Sequence, residues 1–300
     1  MKMAVVEPAA SVPIERGWTM ADLAELVKAR LTFLVLITTA VGFYLGAPAL
    51  ISLWALSHAV LGTALAAASA AALNQWWEYK LDAIMLRTRK RPIPAGHLLP
   101  RQGLMIGALL GIAGIVYLTF LVNLLSAFLA ALTIALYLFA YTPLKKLSNT
   151  NTLVGAIPGA LPPLIGWAAA RGTLEGGAWT LFVILFLWQM PHFFALAWLY
   201  RTDYARAGFR MISNDDESGL RSASQSVLFC ILLLILAAAP SYIGLTSVAY
   251  LPVALLLSGG FVALAMRFHH ERTPATARAL FLGSIIYLPL LLGALVLTRE

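Results

Sequence analysis

Residues 51–92 read ISLWALSHAVLGTALAAASAAALNQWWEYKLDAIMLRTRKRP. The first half of this stretch, with the residue before it, makes an apolar run from Leu50 to Leu73, long enough to cross the roughly 30 Å hydrocarbon layer of a bilayer as one helix. The second half turns polar at once. Asn74, Glu78 and Asp82 come first, and the basic run from Arg87 to Arg91 follows, closed by Pro92. A membrane helix that ends in carboxylates and then in arginines is the pattern from which the remainder of the chain can be read.

Working outward, the same kind of apolar run recurs. The 300 residues are 61% hydrophobic and 11% charged, with a mean hydropathy of +0.84, so a water-soluble particle would lack the polar atoms to cover itself. Nine spans are predicted: Leu31–Ala47, Leu50–Leu73, Leu104–Leu121, Leu124–Tyr141, Leu153–Ala170, Trp179–Leu199, Val227–Ile243, Tyr250–Met266 and Ala279–Leu297. The expected fold is all-α, a polytopic bundle. Pro158, Pro162 and Pro163, with Gly155, Gly159 and Gly166, predict that the fifth span is broken and leans on neighbours able to satisfy its carbonyls. The lone cysteine, Cys230, lies in an apolar run and excludes an intramolecular disulfide or a CxxC pair.

Charge fixes an expected orientation. With the N-terminus inside, only Arg171 and Arg299 of 21 basic residues, and only Glu175 and Glu300 of 13 acidic ones, fall on the outer face. The whole net charge of +8 then lies inside, as topology requires, and no nucleic-acid partner is needed to account for it. Residues 1–20 read as a cytoplasmic tail and 21–300 as one membrane domain.

The inner connections are long and charged, so function is expected there. Asn74, Glu78 and Asp82 are spaced i, i+4, i+8, which puts them on one helical face over roughly 12 Å. Such hard oxygen donors suit Mg²⁺ held partly by phosphate. The basic run can neutralise a phosphate or simply anchor the topology. A second group ends span six: His192, then Arg201, Asp203 and Arg206. Eleven residues separate His192 from Asp203, within about 20° of alignment on an unbroken helix, so both could face one cavity. His192 could instead bond a neighbouring carbonyl, and Asp203 could pair locally with Arg201 or Arg206. Tyr141-Thr142-Pro143-Leu144-Lys145-Lys146 closes span four with lysines suited to phosphate or to anchoring. His58, with apolar neighbours, and His97, His269 and His270, in polar connections, have no partner at metal-ligand spacing. Asp215, Asp216 and Glu217 read as a solvated acidic loop.

These motifs resemble those of the UbiA-type intramembrane prenyltransferases, and within them the protohaem IX farnesyltransferase branch. Asn74-x3-Glu78-x3-Asp82 is similar to the superfamily's first Asp-rich motif, Arg87-Thr88-x2-Arg91-Pro92 to its farnesyltransferase-type extension, and Tyr141-Thr142-Pro143-Leu144-Lys145 to its lysine-bearing loop. His192-Phe193-Phe194 through Arg201-x-Asp203-Tyr204 to Ala207-Gly208 is the branch-specific match; the several aspartates usual there for aromatic acceptors are reduced to Asp203. The resemblance implies nine helices around a central cavity with a cytoplasmic cap. It implies farnesyl diphosphate as donor, protohaem IX as acceptor, and haem O with diphosphate as products.

By the same resemblance, Asn74, Glu78, Asp82 and Asp203 would be catalytic residues that hold Mg²⁺. Arg87, Arg91, Lys145 and Arg201 would contact the diphosphate, and His192 would contact or ligate the haem. It further implies a cytoplasmic (inner) membrane location among lipid, and a haem A synthase or terminal-oxidase assembly factors as recipients. Prenylation of an aromatic ring in quinone biosynthesis, with the same donor site, stands beside this reading. A secondary transporter is a third possibility, although its charged groups would sit nearer the midplane.

Overall fold

The structure, a computed structural model, describes residues 17–48, 50–214 and 216–300. The expected tail therefore lies largely outside the described residues. In chain order the helices are α1 (Met20–Leu26), α2 (Ala29–Gly46), α3 (Leu53–Asp82), α4 (Pro100–Leu121), α5 (Leu124–Ala135), α6 (Thr142–Leu147), α7 (Asn151–Ala160) and α8 (Pro162–Arg171). They continue as α9 (Gly176–Leu199), α10 (Arg201–Arg206), α11 (Leu220–Leu236), α12 (Ala239–Tyr242), α13 (Tyr250–Glu271) and α14 (Pro274–Leu297). A π-helical turn, Leu136–Tyr141, joins α5 to α6. Among the described residues nine helical segments are long and apolar enough to cross a membrane, and no strand forms.

The nine match the expected spans in number and order, and they are longer at their polar ends. Helix α3 continues from Leu73 to Asp82, and α11 begins at Leu220 rather than Val227. Hydropathy stops where side chains turn polar, whereas backbone hydrogen bonding does not. The fifth span breaks at Leu161 into α7 and α8, and neighbouring side chains donate to its carbonyls: Gln189 to Ala156, Asn123 to Ala168 and Ser126 to Ile165. In contrast, α9 runs unbroken through Pro191.

Helix α4 shows why the bundle suits lipid. Gly103, Gly107, Gly111, Gly114 and Leu118 form its buried face against α3, where the Ser69 hydroxyl donates 2.7 Å to the Gly107 carbonyl. Met105, Leu109, Ile112, Val116 and Phe120 point outward on the opposite face. Small residues inside and large apolar ones outside invert the soluble pattern. Packing follows the chain from α2 to α5; α9, α11, α13 and α14 form the other half, and α14 closes the bundle against α2.

One end of the bundle is a cap. The Gln75 amide donates to the Glu25 and Leu26 carbonyls of α1, and His97 meets Asp22 at 2.8 Å. The Thr19 hydroxyl and amide, helped by His97, hold the Asp22 carboxyl down to about 2 against the opposing cost of burial. The opposite end carries the two arginines that the charge count left over. Arg171 donates to the Gly46 carbonyl, and Arg299 to those of Ala47 and Pro48. Both therefore serve the unsatisfied C-terminal carbonyls of α2.

Helices α2 and α8 pack backbone to backbone, where a Cβ on Gly166 would strike the Thr39 carbonyl and one on Gly42 the Pro163 carbonyl. Backbone cannot step aside as a flexible side chain can. Gly166→Ala is expected to destabilise by about 1–3 kcal/mol, seen as a lower unfolding midpoint in detergent. Gly260→Ala, which meets open space, should leave the midpoint unchanged or raised.

Candidate active site

At the cap end, the last two and a half turns of α3 leave the apolar packing and present Asn74, Glu78 and Asp82, all buried. Their common face is realised: the Asn74 amide donates 2.9 Å to Glu78. A buried carboxylate stays ionised only beside positive charge, and each acid has a cation from elsewhere. Lys145, on α6, donates to both oxygens of Glu78 at 2.9 and 2.8 Å. Arg91 donates 2.7 Å to Asp82 Oδ2, while the buried Asp82 Oδ1 has no hydrogen-bond partner among the described residues.

Asp203 joins from α10. Its carboxylate accepts from the Arg87 backbone amide at 3.3 Å and from Arg206 at 3.1 Å. Residues 83–91 thus tie both acids together, Arg91 on Asp82 and Arg87 on Asp203. Aromatic rings complete the link. Lys145 lies over Tyr141 (4.5 Å) and Phe209 (5.6 Å), Phe209 faces Tyr204 at 6.2 Å, and Arg87 bonds the Tyr204 hydroxyl at 3.1 Å. The Arg87 guanidinium also lies over the Tyr200 ring, 5.1 Å away. The π turn just before Pro143 places Tyr137 and Tyr141 beside this wall, a helical irregularity frequent at functional sites.

Two expected residues stand apart. Arg201 turns back on its own helix end, donating 2.9 Å to the Trp198 carbonyl and stacking on that indole, and does not bond Glu78, Asp82 or Asp203. His192 contacts the Ser284 hydroxyl at 2.7 Å and packs against Trp188 and Phe281. The shared face expected for His192 and Asp203 fails because the helix ends at Leu199 and α10 starts anew after Tyr200. Angular phase cannot be carried across that break. Of the acidic loop, Asp215 lies outside the described residues and Asp216 is not solvated: it is buried, accepting the Arg221 and Ser222 amides to cap α11. His269 and His270 belong to the last turn of α13, not to a connection.

The residue that sequence reading missed is Lys28. It sits between α1 and α2 with φ = 48°, a left-handed conformation rare for lysine, and donates 3.1 Å to the Asn74 side-chain oxygen Oδ1. Burial, with Arg91 and Lys145 close by, pushes its ammonium down to about 7 although Glu78 and Asp82 act the other way. The only prior signal was a lysine preceding the first span, which reads as an anchor. Thr142, whose hydroxyl accepts from Asn74 at 3.3 Å, was equally silent.

Four oxygen donors and five cations therefore face one another at the end of an apolar bundle. The match that explains them is to the family model described as UbiA prenyltransferase, over residues 35–290. The chain belongs to the UbiA prenyltransferase family. A protoheme IX farnesyltransferase of Solibacter usitatus is 45% identical over 289 residues, covering 93% of this chain and 99% of that one. Among solved structures, a digeranylgeranylglyceryl phosphate synthase resembles this UbiA member with a TM-score of 0.75 at 16% identity, covering 93% of this chain and 98% of its own. A UbiA homologue of Archaeoglobus fulgidus bound to GPP and Mg²⁺ does so at 0.64 and 13%, covering 91% and 99%. The shared fold establishes an all-helical intramembrane prenyltransferase architecture.

The ion pair at Glu78 can be tested without substrate. Lys145→Met leaves a buried carboxylate unpaired and should cost about 3–5 kcal/mol. Adding Glu78→Gln should restore most of that loss, as read by thermal unfolding of the two variants.

Proposed function

We propose that this chain transfers the farnesyl group of farnesyl diphosphate to a vinyl group of protohaem IX, giving haem O and diphosphate. The observation that carries the reading is the facing of Asn74, Glu78, Asp82 and Asp203 by Lys28, Arg87, Arg91 and Lys145 at one end of the bundle. The similarity to a protein named protoheme IX farnesyltransferase over nearly the whole chain supports the choice of acceptor. Prenylation of an aromatic ring is the weaker alternative.

The donor set fits Mg²⁺. It consists of hard oxygens, one of them, Asp82 Oδ1, buried without a hydrogen-bond partner among the described residues. Among the described residues no three His, Cys, Asp or Glu side chains are grouped closely enough to hold a metal ion by themselves, so phosphate and water would have to supply part of its shell. Asn74, Glu78, Asp82 and Asp203 would hold it, and when bound it would neutralise charge on the departing diphosphate.

The chain's own residues do the rest. Lys145 and Arg91 are point and fork donors for the diphosphate oxygens, with Lys28 beside them. As the C1–O bond of the allylic chain breaks, both electrons leave with the diphosphate, and charge grows where these cations already stand. The aromatic wall of Tyr141, Tyr204 and Phe209 offers ring faces to the allylic cation. The vinyl π-bond closes on C1, and the carbocation formed beside the macrocycle takes up water and releases a proton. Bundle walls delay water until that point.

We further propose that the N-terminus and the site loops are cytoplasmic and that the bundle lies in the inner membrane, a reading supported by the excess of basic residues in the connections at this end. Haem A synthase or oxidase assembly factors would receive the product.

Glu78→Gln and Asp203→Asn should each lower turnover at least about 100-fold, with folding retained, measured as haem O and diphosphate released from purified protein. Product from 4-hydroxybenzoate and none from protohaem would overturn the acceptor. Asp82→Ala should abolish Mg²⁺-dependent diphosphate release; release unchanged in that variant would remove Asp82 from the site. His192→Ala should weaken haem binding more than diphosphate binding, and equal loss of both would make His192 structural.

A further inference from the structure

Beyond the carboxylate site, an apolar cleft opens between the C-terminal end of α9 and the first turns of α14. Leu196, Leu199, Tyr200, Phe281 and Leu282 line it, with Arg278. Arg278 is exposed, and no hydrogen bond or ion pair joins it to another described residue. It stands in the second turn of a 24-residue helix whose start is capped by Thr273, so the positive end of the helix dipole adds to its charge. The nearest acid in sequence, Glu271, is engaged by Arg267 at 2.9 Å. The mouth is therefore positive and the walls are apolar.

Two of those walls lead inward. The Tyr200 ring lies under the Arg87 guanidinium, whose backbone amide holds Asp203. Phe281 covers His192, its ring 4.7 Å from the imidazole. One wall of the cleft is thus in contact with Arg87 of the diphosphate site and another with the only histidine of α9.

The geometry points to this cleft as the acceptor subsite: Arg278 pairs with a propionate of protohaem while the vinyl-bearing side is directed past Tyr200 toward Arg87. The inference rests on the proposed haem reading. Protohaem is a flat apolar disc with both carboxylates on one edge, and the cleft offers flat rings inside and one unpaired guanidinium at its mouth. A phospholipid would satisfy the arginine alone, without using the contacts of Tyr200 and Phe281 with Arg87 and His192.

Haem binding to the purified full chain in neutral detergent, followed by the Soret band, tests this with protohaem and its dimethyl ester, beside binding of farnesyl diphosphate. Wild type should prefer the free acid by about tenfold. Arg278→Gln should erase that preference, leaving affinity for the ester and for farnesyl diphosphate unaltered. Leu282→Trp, which fills the cleft, should weaken both porphyrins and spare farnesyl diphosphate. A preference for the acid that survives Arg278→Gln, or protohaem affinity that survives Leu282→Trp, overturns the subsite and leaves the haem reading standing. Wild type that binds farnesyl diphosphate but neither porphyrin overturns both. An effect of Arg278→Gln seen only with anionic phospholipid added would make the cleft a lipid seat and overturn the proposal.

Discussion

A carboxylate at the edge of hydrocarbon remains charged only if another helix brings it a cation, and the Glu78–Lys145 pair is where this chain meets that requirement. The pair explains features that look unrelated. Helix α3 overshoots the apolar run so that Glu78 and Asn74 hang on a rigid helical face. The π turn and Pro143 re-aim the end of the fourth span so that Lys145 reaches across. Lys28 accepts a left-handed backbone to bond Asn74. Around them the cap is stitched by backbone carbonyls: the Arg210 amide donates 2.6 Å to the Lys145 carbonyl, and Asn151 holds the Arg210 carbonyl at 2.7 Å. That lattice fixes the lysine's helix as well as its charge.

Much of this was legible before any coordinates, and the legible part has a common cause. Apolar length gives the nine spans, and the i, i+4, i+8 spacing gives the Asn74–Glu78–Asp82 face, because both are properties of one continuous helix. The broken fifth span was equally readable, since proline acts locally. What failed required knowing where a helix stops or what lies across from it. The His192–Asp203 alignment dissolved at Tyr200, Arg201 folded onto Trp198, and Asp216 became a buried cap. Lys28 was hidden for the same reason: its partner, Asn74, is distant in sequence, and nothing in a lysine before a membrane helix distinguishes an anchor from a ligand.

The opposite end of the bundle shows how far charge counting reaches. Arg171 and Arg299 are the two basic residues that the orientation rule leaves outside, and both are consumed by carbonyls at the end of α2. They are not free charges. At the cap end the described basic residues divide differently: Lys145, Arg91 and Arg206 pair with acids of the site, Arg201 bonds the Trp198 carbonyl, and Arg278 stands open at a cleft.

The same bookkeeping of charge constrains how a substrate can enter. Lys145, Arg91 and Lys28 are all engaged with buried oxygens, so a bare diphosphate that drew them away would strand Glu78 and Asp82 without counter-charge, at a cost of several kcal/mol for each. Under the proposed function, a diphosphate accompanied by a divalent cation would avoid that penalty, since Asn74, Glu78, Asp82 and Asp203 would hold the metal and Lys145, Arg91 and Lys28 would be free to donate to the diphosphate. The Asp82 Oδ1 oxygen, without a hydrogen-bond partner among the described residues, would gain one in that exchange. Under that reading, resting pairs of this kind would favour the metal–diphosphate complex over either component alone.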